Sequence, residues 1–484
     1  MLSLALSGPS RTEAHPRHFT FKEGKMRIIG IDLGVKAKHR AIVLGEQNKF
    51  ITPIISFYTE LAALDKLRAQ ALDGAAPGTE LIVVMEATNI VWYPVSAYFH
   101  QHGDTVHVIN PRISADLGRF YKRHARSDRL AARTLARLPF VAPEILYPLS
   151  LSGGDYLALQ RGCREVDRLI TQASAIKNRL RDTDLLGWPG LKQRVFPKNA
   201  HPALRWFRDH FYDPRRVVDA GETGVRQAWR ADGGAVDKEA WIKPLVLLAK
   251  ELLQRYGDSI TYIDYIALAA EVTREQRRLA DLETDAHAIR LKVTRPLYRQ
   301  LHPSRNLETI KGVGQDGAAA YVGFIGDPSR FASSRRFRGW SGMIPRSAQS
   351  GTLDSKGLRI TRAGPNLIKK FAFLDADSGR KYDPQLAAIY YDQMVNKGKH
   401  HSQAVCACAT HLLDRVRVIL TEDRPYELRD VDGTPVTDEE ALYIIAERYI
   451  VPKDVRRRNS KRGRRERAER RAERKEKTKR SQSR

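Results

Sequence analysis

The sequence predicts a mixed α/β domain, then a long helical region, then a mainly helical C-terminal domain. Three observations carry that prediction. Between Met26 and Asn110 five apolar, β-branched runs follow one another, the first three consecutively and the others alternating with amphipathic stretches. Residues 155–182 and about 240–300 repeat apolar side chains at alternating steps of three and four, the spacing of a helix that packs on another helix. Beyond Leu307 a glycine-rich turn introduces further helical patterning that continues to about residue 420.

The first run, 26–35, closes on Asp32 and Gly34. A continuous apolar run reads as a strand buried on both faces, which puts Asp32 where a central strand meets the surface. A carboxylate there needs a partner or a metal, although a helix N-cap or a turn explains an Asp at that place equally well. Strands at 40–45 and 49–57 and a helix at 58–72 follow. The run 81–88 is a second apolar strand ending in a carboxylate, Glu86, with a helix at 92–102. Residues 105–110 form the fifth strand and Pro111 starts a helical stretch. This order predicts a mixed sheet rather than a doubly wound nucleotide fold, and no glycine-rich phosphate loop follows any strand. Two acids at neighbouring strand ends can share a divalent ion such as Mg²⁺, which favours carboxylate oxygens and retained waters. Residues 126–133 open an amphipathic helix with Asp128 in its first turn, where the helix dipole also favours a carboxylate.

Within 155–182 the heptad positions are Leu159, Cys163, Val166, Ile170, Ala173, Lys177 and Leu180, interrupted by Lys177. The second stretch carries Ile266, Ala269, Val272, Gln276, Leu279, Leu282, Ala286, Ile289 and Val293 at the same spacing. The two pair as an antiparallel coiled coil within the chain, or join a dimer. Between them 187–237 is rich in Pro, Gly, Arg and aromatics, among them Trp188, Trp206, Phe207, Tyr212 and Trp229. Rings among arginines can stack on unpaired bases; the same composition also builds a small helical insertion with its own core. Residues 307–320 have a helix-hairpin-helix-like form in which Lys311, Gly312 and Gly314 can hold a DNA phosphate without reading sequence. A tight helical turn without a ligand needs the same glycines. Arg346, Ser350, Lys356 and Arg359 follow in a basic, glycine-containing segment.

The 484 residues carry 83 Lys or Arg against 56 Asp or Glu, a net charge of +27. Such an excess points to a polyanionic partner, because each phosphate neutralised releases counterions. Residues 453–484 hold 17 of the basic residues and 5 of the acids with almost no apolar side chains, which reads as a nucleic-acid-binding arm or a solvated extension. No apolar run approaches the roughly 20 residues of a membrane span. Residues 1–25 lack periodicity and a basic n-region, so they read as a disordered leader rather than a signal peptide, with Met26 as an alternative start. Cys163, Cys406 and Cys408 give neither a disulfide framework nor zinc spacing and fit a reducing cytoplasm, the latter two as buried helix thiols. The expected organisation is therefore a leader at 1–25, an α/β domain at 26–150, a helical coiled-coil domain at 151–305 with an insertion at 187–237, a further mainly helical domain at 306–430, and a largely disordered basic tail at 431–484.

Six elements in fixed order then carry a resemblance: Ile31-Asp32-Leu33-Gly34; Glu86; Asn110-Pro111 with Arg126-Ser127-Asp128; Ile310-Lys311-Gly312-Val313-Gly314; Ile344-Pro345-Arg346 with Gln349-Ser350-Gly351; and Lys397-Gly398-Lys399. Together they resemble the transposases of the insertion sequence 110 family, relatives of Piv-type DNA invertases, over about 26–420 apart from 187–237. The resemblance implies an RNase H-like, RuvC-like first domain whose acidic tetrad binds Mg²⁺, and a C-terminal domain that supplies a serine nucleophile. Carried over by position, the tetrad falls on Asp32, Glu86, Asp128 and Ala131, and the serine on Ser350. The family has Asp where this chain has Ala131. One oxygen ligand is therefore missing: the site runs on three acids, or Asp116 compensates, or catalysis is impaired by divergence or engineering. The family also implies donor and target DNA, a bridge RNA that pairs with both, and a homo-oligomer, dimer or tetramer. Two other readings are a metal-only Holliday-junction-type nuclease, which dispenses with Ser350, and an RNA-guided DNA-binding protein that no longer cuts.

Overall fold

The run that opens at Met26 is the central strand of a five-stranded mixed sheet. In this computed structural model the described residues are 26–45, 48–111, 116, 128–146, 148–149, 151, 153–197, 201–256, 263–331, 333–346, 349–350, 353–354, 359–361, 363–460, 463, 465 and 469. The side chains of Asp128, Arg129, Glu144, Gln349, Ser350, Leu353 and Asp354 lie outside the description, as do the leader 1–25, Lys356, Arg362 and most of 461–484. Contacts divide the chain into two units, Met1–Gly153 and Gly154–Arg484.

In the first unit β1 (Met26–Asp32), β2 (His39–Leu44), β3 (Ile55–Phe57), β4 (Glu80–Glu86) and β5 (Thr105–Ile109) lie in the order β3-β2-β1-β4-β5. β1 runs antiparallel to β2 and parallel to β4, and β4 runs parallel to β5. The expected third strand, 49–57, contracts to Ile55–Phe57, with Phe50 reduced to an isolated bridge to Leu44. Pro53 lies between and has no N–H to offer a ladder. Period-two alternation divides the apolar side chains between two faces. Ile29, Ile31, Val83 and Met85 pack under α1 (Leu61–Leu72) and α2 (Trp92–Gln101), while Ile28, Ile82 and Val84 pack under α3 (Asp128–Val141).

The second unit opens with α4 (Gly154–Gly187), a 34-residue helix. α5 (Pro202–His210), α6 (Pro214–Ala231) and α7 (Ile242–Tyr256) lead to α8 (Tyr265–Ile289), which lies antiparallel to α4: Arg179 meets Glu275 at 2.7 Å, and Lys177 meets Glu283 at 2.8 Å. The two heptad stretches therefore meet within one chain. Leu169 and Ile176, rather than Ile170 and Lys177, complete the buried stripe of α4. A straight helix drifts by about 20° per heptad, which moves the seam over by one residue and leaves Lys177 outside as an ion-pair partner. The stretch 240–300 is also not one helix. It comprises α7, α8, a π-helical segment Arg290–Thr294 and α9 (Arg295–Leu301), the π segment lying just before Pro296, which has no N–H for the ladder.

The aromatics of 187–237 make a core. Trp188 and Phe207 are fully buried, Tyr212 and Trp229 nearly so, and the Trp188 Nε1–H donates to the Tyr212 carbonyl at 2.8 Å. Trp206 is partly buried against the same core, its ring 5.3 Å from that of Trp229 and 5.9 Å from that of Trp241, so of the two sequence readings the stacking platform is corrected to a packed helical insertion. The cysteines behave as expected of helix thiols: Cys163 and Cys408 are buried, which pushes both up to about 12, and Cys406 is partly buried.

α10 (Gln315–Ile325), α11 (Ser334–Ser341), α12 (Asn366–Gly379), α13 (Pro384–Tyr391) and α14 (His401–Glu422) enclose the core of Tyr321, Phe337, Leu386, Leu412 and Val416. The tail expected to be largely disordered from 431 is folded as far as 460. α15 (Asp438–Arg448) starts in a Thr437–Glu440 capping box, and α16 (Lys453–Asn459) docks through Val455 and an Asn459 amide that donates to the Met394 carbonyl at 2.7 Å. Val451 and Val455, four apart, are the apolar anchors that composition alone obscured among the arginines. Among the described residues no helix is long and apolar enough to cross a membrane.

Candidate active site

The acidic residues of the first unit are positioned by strand register. β1 and β4 are parallel and paired as far as Ile31 and Met85, so Asp32 and Glu86 occupy the next level of the sheet, side by side. Alternation assigns both to the face that carries Ile28, Ile82 and Val84, beneath α3. Both are half-buried.

Gly30 brings α3 close to that face. A Cβ on Gly30 would meet the Ala132 carbonyl and the Ala136 backbone nitrogen, and would stand 2.8 Å from the Ala136 Cβ. Asp128, Ala132 and Ala136 are spaced by four and share a helix stripe, so Asp128 begins the stripe that lies on the sheet. Its side chain lies outside the description. Ala131 is half-buried in the same first turn. Asp116, the alternative fourth acid, is an exposed helical residue. Among the described side chains no three His, Cys, Asp or Glu come close enough to hold a metal.

In the second unit Ser350 belongs to a hairpin. β6 (Gln349–Ser350) is antiparallel to β7 (Leu353–Asp354), and Ser350–Leu353 is the pair nearest the turn. Further back, Pro345 bridges Ile360, Arg346 N–H donates to the Arg359 carbonyl at 3.0 Å, and Thr361 N–H donates to the Ile344 carbonyl at 2.9 Å. At the base two glycines cross. Gly342 ends α11 at φ +71°, and a Cβ there would meet the Ala363 carbonyl; Gly364 has φ +68°, and a Cβ there would meet the Trp340 carbonyl. Lys369 Nζ donates to the Ala363 carbonyl at 2.7 Å and to that of Gly364 at 3.2 Å. Sequence reasoning missed Gly364 and Lys369, although the Gly364-Pro365 dipeptide is a turn signal.

The remaining predicted contact residues separate. Lys311 is engaged with Asp438 at 2.7 Å. Gly312, at φ +94°, lies where a Cβ would meet the Asp375 carbonyl and the Gly379 nitrogen, so its glycine serves close packing on α12. Gly314 caps α10, exposed and with open space around it. The expected helix–hairpin–helix has α9 and α10 as its helices, with a 3₁₀ turn, Asn306–Thr309, inside the connection. Beneath it, burial pushes the Asp375 carboxyl up to about 7, although the Tyr321 hydroxyl donates to it at 2.7 Å.

Two family profiles match separate stretches of the chain, the first running past Gly153 nearly to the end of α4. The family profile described as a DEDD-type IS110 Transposase matches residues 29–185, and the one described as Transposase IS116/IS110/IS902 family matches residues 304–391. The 43.6 kDa protein of insertion element IS110 from Streptomyces coelicolor is 24% identical over 407 residues, covering 83% of this chain and 96% of that protein. The 42 kDa protein of insertion element IS900 from Mycobacterium paratuberculosis is 32% identical over 110 residues, 23% of this chain and 27% of that protein. Two profiles on separate stretches of the chain and a relative matched along nearly its whole length name the same group: the chain belongs to the IS110 family of transposases.

Proposed function

We propose that this transposase cuts and rejoins DNA through a serine nucleophile, Ser350, assisted by an acidic cluster on an RNase H-like, RuvC-like domain. The observation that carries the reading is the placement of Asp32 and Glu86 one level beyond the last pair, Ile31–Met85, of two parallel strands, on the face whose helix begins with Asp128. Hard carboxylate oxygens so arranged fit Mg²⁺, with water in the place that Ala131 leaves without an oxygen. Bound to Asp32, Glu86 and Asp128, the ion would supply positive charge to the oxygens of the reacting phosphate. The position of Ser350 at the closing pair of a hairpin supports its reaching a phosphate in a groove or junction.

In the cutting step the Ser350 hydroxyl oxygen bonds to phosphorus. The bond from phosphorus to one strand's ester oxygen breaks, and the proton lost by serine ends on that leaving oxygen. Attack by another strand's hydroxyl on the phosphoserine reverses these changes and restores the serine, so no outside energy source is needed. Lys311, Gly312, Gly314, Arg346, Lys356 and Arg359 are the proposed contacts to DNA or RNA, with Lys311 and Gly312 serving chiefly the fold, given their partners. A bridge RNA that pairs with donor and target DNA, a dimeric or tetrameric assembly and a cytoplasmic site of action complete the reading. The net charge of +27 supports two polyanionic partners.

The test is a trapped intermediate. With DNA carrying the element's end, wild-type protein is expected to give a denaturant-resistant phosphoserine adduct at Ser350, and Ser350→Ala neither adduct nor strand cleavage. Cleavage retained by Ser350→Ala without an adduct identifies the metal-only nuclease instead. Ala131 favours a further reading, a guide-directed binder with impaired chemistry. Ala131→Asp is expected to raise recombination at least tenfold if that reading holds; equal recombination by both proteins shows that three acids suffice. Protein that binds its cognate RNA no better than a scrambled RNA of equal length removes the bridge RNA from the scheme.

A further inference from the structure

The neck of the Ser350 hairpin holds two arginines in an arrangement that folding alone does not favour. Arg346 and Arg359 face each other across antiparallel strands, joined by the 3.0 Å backbone hydrogen bond, with the Pro345–Ile360 bridge beside them. Directly opposed residues leave the same face of such a ladder, about 5.5 Å apart at their Cα atoms, and like charges placed so are destabilising. Both arginines are exposed. Arg338 and Lys370, elsewhere in this unit, are taken by Asp414 and Asp167, whereas no described acid pairs with Arg346 or Arg359. Over residues 335–362 seven Lys or Arg stand against the single Asp354.

The neck is also held in shape before any ligand arrives. The backbone crossing of Gly342 and Gly364 and the Lys369 ammonium on the Ala363 and Gly364 carbonyls fix the strands where they leave the helical domain. A site fixed in advance loses less entropy on binding. An anion between the two guanidinium groups turns their repulsion into two charge-assisted, fork-shaped contacts, the geometry that matches a phosphate.

We propose that Arg346 and Arg359 together grip one backbone phosphate of the DNA strand that is cut. The grip itself needs no chemistry; that the gripped strand is the reacting one rests on Ser350 as nucleophile. Ser350 follows Arg346 by four positions, so their Cα atoms lie no more than ~14 Å apart. A strand of B-DNA advances about 3.4 Å per phosphate, which places the gripped phosphate a few steps from the scissile one.

The experiment uses the full-length protein, with equilibrium binding as its readout. On a short random-sequence duplex the double variant Arg346→Gln/Arg359→Gln is expected to bind about tenfold more weakly. It is also expected to lower the slope of log affinity against log salt by about one. On a duplex from the element's own end, a single uncharged methylphosphonate is moved along each strand. One position should weaken wild-type binding about tenfold and leave the double variant unaffected, and Arg346→Lys/Arg359→Lys should fall between. The proposal is overturned if the double variant keeps the wild-type affinity and salt slope, or if every methylphosphonate effect persists in it. Misfolding is separated by the single variant Arg359→Gln, which relieves the like-charge pair and should melt no lower than wild type while already losing the phosphate effect. Ser350→Ala should leave all these binding results unchanged. A missing adduct at Ser350 therefore removes the nucleophile and not the grip, and an unchanged phosphate scan removes the grip and not the nucleophile.

Discussion

Asp375 shows how a single buried acid changes the response of this protein to pH. Its carboxyl lies under α10, where a Cβ on Gly317 would stand 2.7 Å from Oδ2, and its one donated hydrogen bond comes from Tyr321. Burial raises the group from 3.8 to about 7 against the opposing pull of that hydrogen bond. The folded state therefore holds the proton more tightly than the unfolded chain. The stabilisation is fully present below about pH 4 and is lost as pH rises through about 7, at up to about 1.4 kcal/mol per pH unit. Asp375→Asn keeps an acceptor for Tyr321 and removes the titration. Its denaturation midpoint is expected to exceed that of wild type at pH 8 and to lose that advantage at pH 5; a difference that is the same at both pH values contradicts the burial argument. Neither Asp375 nor Tyr321 stands out in the sequence, because their pairing spans 54 positions. Asp32 and Glu86 were legible, since a carboxylate at the end of an apolar run is conspicuous locally. That they share one face and one level follows only from strand register.

Among the elements, the turn before α10 separates two glycines that look alike in sequence. Gly312 has both a left-handed φ and no room for a Cβ, while Gly314 has neither restriction. Gly312→Ala is expected to destabilise the protein by about 2 kcal/mol or more, and Gly314→Ala by about 1 kcal/mol or less, the cost of Ala at an ordinary helix N-cap. Chemical denaturation of the two variants checks this, and equal losses would show that the turn does not depend on the close approach to α12. The helices repeat the lesson. The apolar spacing of α4 announced a packed helix, yet the buried stripe includes Leu169 and Ile176 instead of Ile170 and Lys177, because the seam is set by contact with α8. The aromatics of the insertion were legible as rings among arginines, and only the packing of Trp188, Phe207 and Trp229 into one core decided against a surface platform.

For the whole molecule, charge and core meet at the C-terminus. α16 is anchored by Val455 and Asn459, beyond which residues 461–484 carry thirteen Lys or Arg against four acids. Deleting 461–484 is expected to leave the melting temperature within a few degrees of wild type and to flatten the salt dependence of nucleic-acid binding by several units. A large fall in melting temperature, or an unchanged slope, would show that the segment belongs to the fold and not to the charge.

The sequence by itself determined the mixed sheet, the acids at two strand ends, the polyanionic partner and the transposase family. These are written in short-range terms: apolar period, residue type and net charge. The tertiary structure alone decided which face Asp32 and Glu86 share, where the aromatic cluster packs, how far the tail folds, and that Arg346 and Arg359 stand opposed at the neck of the Ser350 hairpin. Each of those depends on residues far apart in sequence meeting in one register, which apolar spacing along the chain does not specify.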